Sequence, residues 1–322
     1  MVAAKPSWLE DLETNGYAVV PRVIPQQACD EFIEEAWDWL ESFPYGFKRD
    51  DRSTWTSEHL PHGPTGGLYN RYSVNHESFV WKIRIVPEIQ NAFAKVWGTD
   101  DLIASFDGMN ATLPINATTG RSDVPLTDKW PHIDQSPYHV DHLQLCQGIA
   151  NLAPNGPEDG GLVVMRGSHR LHQRFFDEHG GLDEKRAKEN GYRYELQDLK
   201  WFEDNGCKEI KICAGPGDLL LWDSRTIHWN ASPTGSQTRF ATYVAYTPRR
   251  FMSEDQLAQK LQIFKDRKGT TGWAHKNVVP EERTDGTAEP KRPDGTVDPA
   301  NRARPRKEPA ETREVMWAVG VR

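Results

Sequence analysis

The spacing of apolar residues along the chain changes period. From Gln26 to Phe43, Ala28, Phe32, Ala36 and Leu40 recur every four residues, with Ile33 and Trp37 beside them. That stripe predicts an amphipathic helix whose apolar face packs on a core. The preceding run "YAVVPRVI" reads as a short strand, and Pro25 marks the start of the helix. Residues 79–97 carry a second helical pattern through Phe79, Ile83, Val86 and Phe93, interrupted at Pro87. Beyond residue 102 the helical stripe gives way to short β-prone runs: "LIASFDGMNATLPI", "LQLCQGIANL", "GGLVVMRGSH", "KEIKIC", "GDLLLW", "TIHWNA" and "RFATYVAYTP". Gly, Pro and Asn clusters separate them, the pattern of an antiparallel sandwich or barrel.

Two further stretches look helical. Residues 177–204 are highly charged and read as a helical insertion between strands. In "SEDQLAQKLQIFKDRKG", Ser253 and Gln256 form a capping box, Leu257, Leu261 and Phe264 form the stripe, and Gly269 stands where a C-cap is expected. Residues 280–312 are charged and Pro-rich, with Val297 their one large aliphatic residue, and predict an extended tail or surface wrap. "VMWAVG" near the end is apolar enough to pin the tail back on the core. No internal repeat is visible. The fold class expected is mainly β with flanking helices, in one catalytic domain over 1–322. A helical flank with lid loops fills 1–100, the β core 101–250, and a helix with the tail 251–322.

Composition narrows the function. The 322 residues carry a net charge of −8, which disfavours a phosphate-binding surface, so no nucleic-acid partner is expected. The four cysteines (Cys29, Cys146, Cys207, Cys213) are far apart and predict reduced thiols rather than a disulfide frame or zinc knuckle. The start, "MVAAKPSWLEDLE", lacks an apolar signal region, no run is long enough to span a bilayer, and the last residues form no peroxisomal or prenylation signal. The expectation is a cytoplasmic protein with no membrane partner.

Eleven histidines make any single one uninformative. His-x-Asp occurs twice, as His132/Asp134 in "WPHIDQSP" and His139/Asp141 in "YHVDHL". Residues i and i+2 share a face in extended chain, so either pair can converge on one ion. His228, after the "DSRT" turn, would present a second imidazole at a barrel mouth. Two histidines and a carboxylate form the facial triad of non-haem Fe(II) oxygenases. Arg239, eleven residues further on, could pair with a co-substrate carboxylate. Spacing alone leaves the choice of pair open.

The chain resembles the phytanoyl-CoA dioxygenase family of Fe(II)/2-oxoglutarate-dependent oxygenases, in particular its fungal and bacterial small-molecule branch. The resemblance is carried by "LETNGYAVVPRVI", "WPHIDQSP", "CQGIANLAPNGPEDGGLVVMRGSH", "GDLLLWDSRTIHWN", the Arg239 offset and the later "TTGWAHKNV". It implies a double-stranded β-helix, a cupin-like jelly roll. It also implies Fe(II) on His132, Asp134 and His228, with Arg239 on the distal carboxylate of 2-oxoglutarate. O2 is then the second co-substrate and ascorbate an activator in vitro. The family order of motifs selects 132/134 and leaves His139, Asp141 and His142 in a loop, with His139 a candidate for the substrate rim. His169 in "GSH" matches a turn near the site and is expected to fix a loop.

Two positions depart from the family pattern. A Gln three residues before the metal His and a Thr in the "GG" strand are replaced by Lys129 and Leu162. Asn110, Gln147, Thr226 and Asn230 are therefore candidates for secondary contacts to 2-oxoglutarate. Trp222 reads as core, and Arg225 as a brace for Asp134, a co-substrate carboxylate or Asp223. Loops 44–78 and 111–131 are the expected lid, and Tyr69, Arg71, Tyr72 and Trp130 the expected rim with His139. The implied reaction is hydroxylation, desaturation or a related C–H oxidation of a small molecule, releasing succinate and CO2. A carboxylate at 134 points away from halogenation. The rival readings are a cupin-like metal-dependent isomerase or hydrolase and a non-catalytic binding barrel. A homodimer is left open.

Overall fold

The helical stripes and β-prone runs become two facing sheets with helices on both outer surfaces. The computed structural model describes residues 5–63, 66–188, 190–276 and 289–322. In chain order the strands of the first sheet are β1 (Tyr17–Val20), β2 (Leu68–Tyr69), β4 (Met109–Thr112), β6 (Cys146–Asn151), β11 (Leu219–Asp223) and β13 (Arg239–Val244). The second sheet has β5 (His132–Ile133), β7 (Gly161–Arg166), β8 (Ala187–Lys188), β9 (Gly191–Arg193), β10 (Lys208–Lys211) and β12 (His228–Ala231). A separate antiparallel pair joins β3 (Leu102–Ala104) to β14 (Tyr246–Pro248).

The strand orders are β1-β11-β6-β13-β4-β2 and β10-β7-β12-β5-β9-β8, with all strand pairs antiparallel. Neighbours far apart in sequence are the mark of a jelly roll, the expected double-stranded β-helix. Alternation along each strand sorts its residues. On β13, Ala241 and Tyr243 join Ile149, Leu162 and Trp222 between the sheets. Phe240 and Val244 point the other way into the helical layer, where Phe240 meets the Trp37 ring edge-on at 4.8 Å.

That layer contains α2 (Gln26–Glu41), α3 (Ser78–Arg84), α4 (Pro87–Trp97), α7 (Glu254–Lys265) and α8 (Arg313–Val319). α1 (Ser7–Asn15) leads into β1, while α5 (His172–Glu178) and α6 (Leu196–Asp204) cover the second sheet through Phe175, Phe176 and Phe202. The Ser253–Gln256 capping box is present. The wrap is present too. Asp298, 1% exposed, accepts bonds from Tyr72 and Tyr45, and the Arg306 amide donates to Glu77 at 2.7 Å. Val315, Ala318 and Val319 of α8 are buried. Residues 280–288 of the expected tail, and Asn277 and Val278 of "TTGWAHKNV", lie outside the described residues.

Two expectations are corrected. The charged insertion is not continuous helix: after α5 the chain turns at Gly180 and Gly181, both with positive φ, and forms the β8–β9 hairpin before α6. That hairpin extends the second sheet beside β5. Gly269 is not a helix cap either. α7 ends at Lys265, and Gly269 instead leaves room for the Asn75 amide, 2.5 Å from where a Cβ would stand. Cys29, Cys146, Cys207 and Cys213 are all free thiols. No helix among the described residues is long and apolar enough to cross a membrane.

Candidate metal centre

β5 is only two residues long, and both of its edges are used. His132 pairs with His228 of β12 on one side and Arg193 of β9 on the other. Direct pairing in antiparallel strands puts the side chains on the same face, so the two imidazoles meet, ring centroids 4.3 Å apart. The strand then bends, and the Asp134 amide donates to the Ser224 carbonyl at 3.0 Å. This turns the carboxylate back toward the histidines. Oδ1 lies 3.6 Å from His132 Nε2 and Oδ2 lies 3.3 Å from His228 Nε2. One ligand atom from each of the three residues lies within 4.8 Å of the others, the donor set and spacing that one metal ion can occupy.

The outward nitrogen of each ring is committed. His132 Nδ1–H donates to the Trp130 carbonyl at 3.1 Å and His228 Nδ1–H to the Thr226 carbonyl at 2.9 Å. A carbonyl only accepts, so both rings hold the tautomer whose bare Nε2 faces inward. Burial, reinforced by His228, pushes the His132 imidazolium down to about 4, so the ring is neutral near pH 7. Burial works against ionisation of Asp134. His132, His228 and a bond from Gln147 outweigh it and hold the carboxyl well below the usual range.

The group opens into a chamber of about 500 Å³ walled by Trp130, Ile149, Leu162, Trp222 and Tyr243. Trp130 stacks on His132, centroids 4.3 Å apart and planes 9° apart. Lys188 and Arg193, on the unforeseen hairpin, stand at its exposed edge with Asn70. Arg239 lies at one end between the sheets, 2% exposed, and its Nη1 has no hydrogen-bond partner. A Cβ on Gly161 of the facing sheet would stand 3.0 Å from Arg239 Nε. Lys211 shares this end. Burial, opposed by Cys213 and helped by the Arg239 charge, lowers its pKa to about 8. Arg239 is buried and Lys211 half-buried, the latter donating to Asn155 Oδ1 and the Ile212 carbonyl at 2.8 Å, and two cations without an ion-paired carboxylate among the described residues can hold an anion. Lys211 carried no sequence signal beyond its alternation on β10.

The other candidates scatter. Gln147 faces the chamber and donates from Nε2 to Asp134 Oδ2 at 3.0 Å. Asn230 also lines the chamber. Asn110 is buried with its amide donated to the Gly66 carbonyl at 2.7 Å. Thr226 does not face the chamber: its hydroxyl donates to the Gly16 carbonyl at 2.8 Å, where it anchors the end of α1.

The expected rim is largely corrected. Trp130 lines the chamber. Tyr72 is 1% exposed, donates to Asp298 at 2.6 Å and accepts from the His62 amide. Tyr69 is buried and lines a neighbouring cavity with Gly67 and Thr112. Arg71 is half-buried beside Asn70 and outside the chamber wall. His139 is exposed on a short 3-10 turn. The long stretch 44–78 buries Phe47, Trp55, Tyr69 and Tyr72 against Trp37 and Trp39 of α2, whereas the one aromatic residue of 111–131, Trp130, stacks on His132.

Several neighbouring residues found structural posts. Gln135 is fully buried, accepting from the Gln144 amide at 2.8 Å and Ser224 Oγ at 3.0 Å while donating to the His142 carbonyl. It sets the loop that carries "YHVDHL", a role no spacing revealed. Arg225 clamps Asp223 with its shortest contact at 2.7 Å, and His169 meets the Glu13 carbonyl. Lys129 pairs with Glu209 at 2.7 Å over the Trp229 ring, outside the chamber.

A jelly-roll barrel with two histidines and a carboxylate gathered inside its mouth defines a cupin-like class of site. Comparison with known proteins narrows it: the chain belongs to the phytanoyl-CoA dioxygenase (PhyH) family, which it matches over residues 12–241. It is 38% identical over 276 residues to the Ava biosynthesis cluster protein O of Aspergillus versicolor, covering 84% of this chain and 87% of that one. It is 22% identical over 279 residues to a Dictyostelium discoideum protein described as a phytanoyl-CoA dioxygenase, covering 74% of each. Among solved structures, the epimerase SnoN in complex with Fe3+, alpha-ketoglutarate and nogalamycin RO superimposes with a TM-score of 0.52 at 15% identity. That match covers 76% of this chain and 83% of the other and is a likeness of fold.

Proposed function

We propose that the protein is an Fe(II)- and 2-oxoglutarate-dependent oxygenase that oxidises a C–H bond of a small molecule, releasing succinate and CO2. The observation that carries the reading is one chamber with a metal-sized donor set and, at one end of the barrel, a buried Arg239 whose Nη1 has no partner. His132, Asp134 and His228 would hold the iron, and Arg239, with Lys211 nearby, the distal carboxylate of 2-oxoglutarate. Bound iron with this co-substrate supplies the oxidising power of the reaction, driven by O2 and by decarboxylation of the keto acid.

The protein's own contribution is arrangement. The backbone carbonyls of Trp130 and Thr226 keep both Nε2 lone pairs pointing inward. Trp130 restricts rotation of His132. The apolar wall of Ile149, Leu162, Trp222 and Tyr243 limits water, and Lys188 and Arg193 favour a substrate with an anionic or carbonyl-rich edge. The carboxylate of Asp134 leaves no small-residue gap for a halide. This favours hydroxylation, desaturation or a related oxidation.

The test is succinate formation by purified protein with Fe(II), 2-oxoglutarate and ascorbate, first alone and then with a panel of small metabolites. Metal- and 2-oxoglutarate-dependent succinate supports the reading. Turnover of a metabolite without 2-oxoglutarate would replace it with a cupin-like isomerase or hydrolase. Failure to take up iron would replace it with a non-catalytic binding barrel.

A further inference from the structure

We infer that Gln147 is the positioning residue for the Asp134 carboxylate, and that Gly272 is small to leave room for its amide. The inference rests on the metal-centre reading above and adds a residue pair to it. Asp134 sits just past the end of a two-residue strand, with its side chain 33% exposed. A carboxylate there has rotational freedom unless something holds it. Among the described residues, the one side chain besides the two histidines that bonds to it is Gln147, through Nε2 to Oδ2 at 3.0 Å. An ionised carboxylate only accepts, so the amide nitrogen must be the end that faces it. Gln147 is well placed to hold this angle, because β6 is an interior strand paired with β11 on one side and β13 on the other.

Gly272 lies close against the same amide nitrogen. A Cβ added to Gly272 would stand 3.2 Å from Gln147 Nε2 and 3.6 Å from Asp107 Oδ2. Gly272 does not need the left-handed region, so space rather than backbone conformation is what glycine provides there. The loop cannot retreat easily. Thr270 is tied to Phe106 in both directions, amide to carbonyl at 2.9 Å and Phe106 amide to Thr270 Oγ1 at 2.8 Å. "TTGW", a motif otherwise without a role in the chemistry, thus becomes the outer stop that seats Gln147. Partners of this kind set the orientation of metal-binding groups and affect affinity about 10- to 100-fold.

The probe is Co(II) alone, titrated into metal-free protein and followed by absorption, with thermal melts of the metal-free variants alongside. Q147L is expected to weaken Co(II) binding about 10- to 100-fold, with an unchanged melt. Q147E keeps the size but loses the donor, and is expected to lose at least as much. It serves as the test if Q147L does not fold. G272A is expected to weaken binding less, about 3- to 10-fold, because it displaces the amide without removing it, an effect below the 10- to 100-fold range for loss of such a partner. Because G272A acts through the amide, the Q147L/G272A double variant should match Q147L within about 2-fold. Parental Co(II) affinity in Q147L or Q147E, or multiplicative effects in the double variant, overturns the inference while leaving the metal centre standing. No Co(II) uptake by the parent protein overturns the metal centre itself, and this inference with it.

Discussion

His132 and His228 are direct cross-strand partners whose rings stand 4.3 Å apart, each locked through Nδ1 to a main-chain carbonyl. Neither ring can turn away without leaving a buried N–H unpaired. The pair is therefore organised before any ion arrives.

Removing one member should act mainly on metal affinity. H228A and D134A are each expected to weaken Co(II) or Fe(II) binding by more than about 100-fold, beyond the range of supporting residues. Succinate formation should be lost in both. Calorimetric titration of the metal-free variants measures the first effect, and full 2-oxoglutarate-coupled activity in D134A would sink the assignment.

Arg239 should show opposite effects on binding and on stability. A charge-assisted bond lost with R239M is expected to raise the KM for 2-oxoglutarate about 10- to 100-fold. R239K keeps the charge without the fork and should fall between the two. Because Nη1 is buried without a partner, R239M should melt at or above the temperature of the parent when no co-substrate is present. A lower melting temperature together with an unchanged KM would mean that Arg239 is a structural cation.

Gly161 faces that guanidinium with φ at 96° and a Cβ position 3.0 Å from Nε. G161A is expected to cost about 1–3 kcal/mol through backbone strain, and to weaken 2-oxoglutarate binding by displacing Arg239. Chemical denaturation and a KM measurement separate the two.

Acid should destabilise the protein through its buried neutral histidines. Burial holds the His172 pKa down to about 4, and burial with nearby Lys276 and Lys260 holds His275 down to about 3. Both lie below the ordinary histidine value of about 6.5. Between those limits the unfolded chain binds protons that the folded chain excludes, so stability is full above about pH 6.5 and falls as pH drops toward 4. His172 has a clear reason: Nε2–H donates to the Arg225 carbonyl while Nδ1 accepts from Tyr194, an arrangement that a second ring proton would break. Thermal melts of metal-free protein across this range should show the slope, and H172Q should flatten it.

Lys129 is the control. Its partner Glu209 is partly exposed and the pair lies outside the chamber, so K129A should change stability by less than about 1 kcal/mol. It should also leave metal binding unchanged. A large loss of 2-oxoglutarate affinity would show instead that Lys129 takes the place of the family's glutamine.

The sequence by itself determined the elements whose cause is local. The four-residue stripe made α2, Pro87 divided α3 from α4, and each β-prone run from 102 to 248 contains a strand, because a side-chain period of 3.6 or 2 is written in adjacent residues. Spacing left two His-x-Asp pairs open, and the resemblance of the surrounding motifs to the family brought His132, Asp134, His228 and Arg239 forward as a set. Only the tertiary structure decided where the remaining polar groups point. Thr226 and Asn230 lie four residues apart, yet one holds α1 and the other lines the chamber. Tyr72 looked like a rim residue until Asp298, 226 positions later, claimed its hydroxyl. The β8–β9 hairpin was hidden by its charges, and it became strand because β5 offered an open edge. Partners of that kind are set by register and by distant chain packing against a face, and no window of neighbouring residues contains them.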